Sequence, residues 1–229
     1  MNRAVAVARM QLTNKWIYLG IPLIILAGST LISLAIFAMI PDDASNVISG
    51  SGQAVMWYFF ALGIQSLTLL FPFSQALSVS RRSFYIGTVG LFTLVALALA
   101  VLYWVLGLIE QATDGWGMRG AIFAIPWIAE GAWYTQILFY FAVTSLFFLL
   151  GFWSSTIYKR WRTVGLTAAL VGLGAALLGV IALITWRGAW PSVGAWLVEL
   201  TPLSLAGWLL AAAALLALTS YATLRRAVP

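Results

Sequence analysis

Residues 85–109 read YIGTVGLFTLVALALAVLYWVLGLI, a run of 25 residues without a single Lys, Arg, Asp or Glu. A helix crossing the ~30 Å hydrocarbon core of a bilayer takes about 20 apolar residues. The run is long enough. Its apolar residues are continuous rather than alternating, which argues against a strand of a membrane β-barrel. Five further runs of the same kind lie on either side of it, at roughly 17–40, 55–77, 134–157, 164–186 and 203–224. The expected fold is an all-α integral membrane protein with six transmembrane helices.

The whole 229-residue composition agrees. Hydrophobic residues make up 63% of the chain and charged ones 8%, where soluble domains run about 45–50% and 25%. The connections between the runs are each too short to fold as a soluble domain, which takes about 50 residues. Residues 1–229 are therefore read as a single transmembrane domain. The chain has no Cys and no His. That excludes disulfides, thiol chemistry, haem or zinc held by imidazole, and His acid–base catalysis.

The formal net charge of +6 reads as a topology signal rather than as a nucleic-acid footprint. With the N-terminus placed in the cytoplasm, Arg3, Arg9, Lys15, Arg81, Arg82, Lys159, Arg160, Arg162, Arg225 and Arg226 all fall inside, and only Arg119 and Arg187 fall outside. The acidic residues Asp42, Asp43, Glu110, Asp114, Glu130 and Glu199 fall outside or at the outer edge. Such a positive-inside pattern expects an even number of spans with both termini cytoplasmic. The first run is too long for the apolar core of a signal peptide, and no small-residue cleavage site precedes Pro41, so an uncleaved first span is expected. Trp57, Trp116, Trp127, Trp133, Trp186, Trp190 and Trp196 then lie near the outer interface and Trp16, Trp153 and Trp161 near the inner one, as interfacial anchors do.

The interiors of the runs carry no formal charge; Glu110 comes closest, at the outer end of the third. Ion-coupled carriers usually place ionisable side chains within their spans. No phosphate-cradling Gly-x-x-x-x-Gly-Lys-Ser/Thr is present, and no Ser–His pair, Asp dyad or zinc motif suits an intramembrane protease. No catalytic site or metal site is expected, and any energy source is expected in another chain. The mild polar residues Ser29, Thr30, Ser33, Gln65, Ser66, Thr68, Gln136, Thr144 and Ser145 suit helix–helix hydrogen bonds or the lining of a path. Gly165, Ala168, Ala169, Gly172, Gly174, Ala175, Ala176 and Gly179 give the fifth run a small-residue face that lets another helix approach, within the chain or across a subunit boundary.

Three segments on the expected cytoplasmic side stand out. Residues 1–16 place Val5, Ala8, Leu12 and Trp16 near one helical face flanked by Arg9 and Lys15, which reads as an interfacial helix on the inner leaflet, where the basic residues meet anionic lipids. The stretch FPFSQALSVSRRSFYIGT (71–88) holds Pro72, which loosens the inner end of the second span, and Ser78 or Ser80 as a cap for a following helix. Lys159–Arg162 form a short anchoring link. On the other side, 118–133 and 187–202 are apolar pieces too short to span and broken by Pro126, Pro191, Gly194 and Pro202. They read as interfacial or re-entrant segments.

The layout resembles the permease subunits of bacterial type-two ABC exporters. The stretch 71–88 is similar to their "proline, small residues, Gly-x-Ser-Arg-Arg-x-x-aromatic-x-Gly-Thr" element, with Ser78 in place of the glycine, and EQATDGWG (110–117) is also similar to a stretch found in them. The resemblance covers the whole chain in layout and only these two stretches in sequence. It implies a bacterial cytoplasmic membrane protein working with a second permease chain, as a homo- or heterodimer, and with separate ATP-binding-cassette ATPase subunits that carry ATP and Mg. It implies a coupling element comprising Ser78, Val79, Ser80, Arg81, Arg82, Ser83, Phe84 and Tyr85, with the arginines facing the ATPase. It also implies a path at the dimer interface beside the second and fifth spans, which makes Gln65 and Thr68 candidate lining residues, and a hydrophobic or amphipathic cargo. Other readings stay open from the residues alone: a non-transporting membrane scaffold or sensor subunit, and, less favoured, an ion-coupled carrier.

Overall fold

Pro72 and two glycines shape the packing of the helices. The computed structural model describes residues 3–40 and 47–225; Pro41, Asp42, Asp43 and Arg226 lie outside them. Helix makes up 86% of the structure, so the chain is all-α. Helix α1 is Arg3–Leu12. A π-helical turn, Trp16–Gly20, runs into α2, Ile21–Phe37, which has proline near its first position, where the missing N–H costs nothing. After a short two-residue strand β1, Val47–Ile48, come α3, Ala54–Gln65, a second π-helical turn, Ser66–Leu70, and α4, Phe71–Ala76. Pro72 cannot donate its ladder bond, and the preceding turn widens where that bond is missing. Helix α5 is Arg81–Ala112. Strand β2, Gly120–Ala121, and the four-residue α6, Pro126–Ala129, precede α7, Trp133–Trp186. Helices α8, Trp190–Glu199, and α9, Pro202–Leu224, complete the fold.

Among the described residues, five helical segments are long and apolar enough to cross a membrane: Trp16–Phe37, Ser51–Ala76, Arg81–Ala112, Trp133–Trp186 and Pro202–Leu224. This is the pattern of a multi-pass membrane protein. The runs expected at 134–157 and 164–186 both lie within the 54-residue α7, whose backbone leaves helical geometry at Arg162 (φ 55°, ψ −155°). No loop of several residues separates them; a single residue makes the break.

The core lies where α3, α5 and the first part of α7 meet. Phe92 stacks on Phe148 at 3.6 Å, and Phe59 meets Phe92 edge-on at 5.0 Å. Gly63 and Gly151 let α3 and α7 touch backbone to backbone: a Cβ on Gly63 would sit 2.8 Å from the Phe152 amide, and one on Gly151 would strike the Phe60 carbonyl. The small-residue face expected on the fifth run is not used this way, for Gly172, Gly174 and Gly179 have no neighbour within 4 Å of a built Cβ. Residues 163–198 are mostly exposed.

Helix α1 also has a docking edge that the sequence reading did not name. It buries Val7 and Gln11 against α5, while Val5 and Trp16 are turned outward. The reason is Gly87 on α5, where a Cβ would lie 2.6 Å from the Ala4 carbonyl and 2.8 Å from Val7. Close backbone approach there sets the docking edge, with Ala8 and Leu12 packed beside it.

Candidate functional site

At one end of the bundle the chain turns from α4 into α5. Leu77–Ser80 form the turn, and Ser78 adopts φ 56°, a left-handed conformation disfavoured for a residue with a side chain. The glycine of the resembling element would adopt it without that cost. The Gln75 side-chain amide donates to the Val79 carbonyl at 3.0 Å and the Val79 amide to the Ser74 carbonyl at 3.1 Å, which holds the turn. Ser80 caps α5: its hydroxyl accepts from the Ser83 amide at 3.2 Å and donates to the Ser83 hydroxyl at 2.8 Å. No separate helix intervenes. The residue that follows the cap opens the 32-residue α5 itself.

The expected coupling residues divide by direction. Ser78, Ser80 and Arg82 are exposed, Val79, Arg81, Ser83 and Tyr85 are partly buried, and Phe84 is fully buried. Arg81 reaches across to α9 and donates to the Arg225 carbonyl at 3.0 Å. A cation in the first turn of a helix is unfavourable toward its own dipole but favourable at the C-terminus of another, and Arg81 satisfies the second condition on α9. Tyr85 donates to the Ala217 carbonyl at 2.6 Å, and its ring lies 5.0 Å from that of Tyr221. The start of α5 and the end of α9 are thus tied, with Arg82 left facing outward. No carboxylate among the described residues pairs with Arg82.

Helix α1 lies beside this turn. Arg3, Ala6, Val7 and Met10 face Leu77, Ser78 and Val79 across a groove of about 450 Å3. Beneath it runs a buried polar chain absent from the sequence expectations: Gln11 donates to Thr88 at 2.7 Å and accepts from Tyr18 at 3.3 Å. The Gly87–Thr88 pair on α5 and the Val7, Gln11 spacing on α1 are the signals that point to it, since positions four apart share one helix face.

The two candidate lining residues have different surroundings within the chain. Gln65 is exposed and lines a second groove between the α1–α2 link and α3. Thr68 bonds its own helix, donating to the Ile64 carbonyl at 3.1 Å, and does not line that groove.

The opposite end is closed by a buried knot. Glu110 is 2% exposed. Its carboxylate accepts from the amides of Ile122 at 3.0 Å, Phe123 at 3.2 Å and Ala124 at 2.8 Å, and from the Trp116 indole at 2.8 Å. The Phe123 carbonyl in turn accepts from Gln136 at 3.0 Å and Tyr140 at 2.8 Å, and Tyr103 donates to the Gly52 carbonyl. The apolar piece expected at 118–133 is therefore only briefly helical, over Pro126–Ala129. Ile122 and Phe123 are folded inward as a plug. The piece at 187–202 does form a helix, α8, and its Glu199 is exposed. Among the described residues no group of three or more Asp or Glu is placed to hold a metal ion.

No protein-family model, curated protein or solved structure matches this chain.

Proposed function

We propose that this chain is the membrane-spanning subunit of an ATP-driven exporter resembling the type-two ABC permeases. The observation that carries the reading is the Leu77–Arg82 turn, an exposed basic element fused to a 32-residue helix and tied to the end of α9. A partner that pulls on Arg82 moves α5, α9 and, through Gln11–Thr88 and the Gly87 contact, α1 as one body. That is the mechanical requirement for a coupling element. The ATP and Mg belong to the partner ATPase on this face, which is cytoplasmic in this reading; the chain itself has no catalytic role and sits in the bacterial cytoplasmic membrane.

Six crossings follow from the same reading. A straight 54-residue helix would extend about 80 Å, against ~30 Å of hydrocarbon. The break at Arg162, flanked by Lys159 and Arg160, divides α7 into two spans with their basic link on the cytoplasmic side. A second permease chain, homo- or heterodimeric, pairs with this one, and the unpacked flank at 163–198 is surface left for it and for lipid. The cargo is hydrophobic or amphipathic, a drug, lipid or peptide.

Arg82→Glu tests the coupling. The variant should insert and bind its ATPase more weakly or hydrolyse ATP without transport, while thermal stability in detergent stays within about 0.5 kcal/mol of the parent, as expected of an exposed position. Unchanged transport would remove Arg82 from the coupling role. Purification in mild detergent from the native host should bring a soluble-sized ATPase with the chain; its absence at full recovery favours the scaffold reading.

A further inference from the structure

The groove beside Gln65 has two unlike halves. Its volume is about 550 Å3, within the range of ligand sites, roughly 300–1,000 Å3. One wall is the link between α1 and α2, with Asn14, Lys15 and Trp16; the other is α3 and the turn after it, with Leu62, Gln65 and Leu69. Lys15 is the sole formally charged residue among those lining it. Among the described residues no carboxylate pairs with Lys15, and the side chains of Asn14 and Gln65 make no hydrogen bond to another described residue. The lip thus offers one ammonium and two amide NH2 groups as donors, and the lining holds no carboxylate to neutralise Lys15. Below the lip the wall is aliphatic, and Leu69 is 66% exposed.

Both walls contain a π-helical turn, Trp16–Gly20 on one side and Ser66–Leu70 on the other. Such turns insert a residue into the helix and are frequent at functional sites. Here both contribute to the lining, Trp16, Ile17 and Tyr18 from one and Leu69 and Leu70 from the other. Trp16 sits at the mouth, 66% exposed, with its ring over Gly20, where a Cβ would collide with it. An indole at the boundary of polar and apolar surface marks the level of lipid headgroups.

We propose that this groove holds one anionic phospholipid, with its phosphate against Lys15, Asn14 and Gln65 and an acyl chain along Leu62 and Leu69. Charge complementarity selects the anionic headgroup, and the aliphatic lower wall selects a lipid over a free anion. The site needs a bilayer around the chain and stands whether or not an ATPase docks on the neighbouring turn.

Lys15 and Lys159 are the only lysines in the chain, which supplies an internal control. The full chain is placed in nanodiscs of phosphatidylglycerol or of phosphatidylcholine, and acetylation by a soluble succinimidyl ester is followed at both lysines by mass spectrometry. The ratio of the Lys15 rate to the Lys159 rate cancels the general surface potential. It should fall about fivefold in phosphatidylglycerol, the order expected for one lysine engaged by an anionic lipid. An unchanged ratio overturns the site. Leu69→Trp fills the aliphatic wall at an exposed position without touching the donors and should restore the ratio; if the fall persists, the acyl chain is not bound there and the proposal fails. Glycerol phosphate added to phosphatidylcholine nanodiscs should leave the ratio unchanged. An equal fall with that soluble anion overturns the lipid assignment.

Discussion

Glu110 and Arg81 show how single charged side chains are used at the two ends of the molecule. The Glu110 carboxylate gathers three consecutive backbone amides and an indole. Glu110→Gln keeps the shape but replaces an acceptor oxygen with an NH2 group, so at least one buried amide loses its partner. The expected cost is about 1–3 kcal/mol, read as a lowered unfolding temperature in detergent, while the same change at Glu130 should have little effect. Arg81 behaves differently from its neighbour. Truncation to Ala removes the bond to the Arg225 carbonyl and should cost about 1–2 kcal/mol, as hydrogen bonds from charged donors do when they are lost. The same readout should leave Arg82→Ala near the parent. The sequence pair Arg81–Arg82 gave no hint of this division, because it depends on where the end of α9, some 140 positions away, comes to rest.

At the scale of elements, close backbone approach decides the packing. Gly87 receives α1, so Gly87→Leu should lift that helix from α5. Overpacking of this kind costs about 1–3 kcal/mol, and when opening is fast, cleavage follows the open population. Trypsin cutting after Arg9 should then quicken about tenfold, with Gly90→Leu, at a position with nothing within 4 Å, as the control. Unequal legibility has the same cause. The long apolar helices were readable because a continuous apolar run leaves few alternatives in a bilayer, and five such helical segments are present among the described residues. Their ends were nearly so: 203–224 became Pro202–Leu224, and 55–77 lies within Ser51–Ala76 but for its last residue. The lipid-facing edge of the first segment was legible in its hydrophobic spacing, and Val5 and Trp16 are exposed; the edge that docks on α5 was not, because it depends on the gap that Gly87 leaves opposite Ala4 and Val7. Of the candidate site, the exposed turn at 78–82 was legible from its serines and arginines. The Thr88–Gln11–Tyr18 chain left only the weak signal of Val7 and Gln11 sharing a helix face, and the Glu110 knot left none, since it joins Glu110 to backbone amides of a non-helical segment.

The whole molecule turns on how many times α7 crosses the membrane. A single crossing would give five in all and set the end of α9 on the side opposite the Arg82 turn. The structure keeps Arg81 bonded to Arg225 and Tyr85 bonded to Ala217, so α5 begins where α9 ends. In the proposed topology both points share a side, so the number of crossings between them, α5 and α9 included, is even. In the proposed reading α5 and α9 cross once each, and α7 then contributes two. The break at Arg162, with Lys159 and Arg160 beside it and the Arg160 guanidinium 4.2 Å from the Trp161 ring, is where the proposed topology turns the chain back. Because the chain has no Cys, single cysteines report sidedness without a background. Arg82→Cys, Lys159→Cys and Thr223→Cys should react with a membrane-impermeant maleimide only in inside-out vesicles, and Gly194→Cys only in intact cells. Labelling of Lys159→Cys and Thr223→Cys from opposite faces would show that α7 crosses once, and would remove the even count on which the cytoplasmic placement of both ends depends.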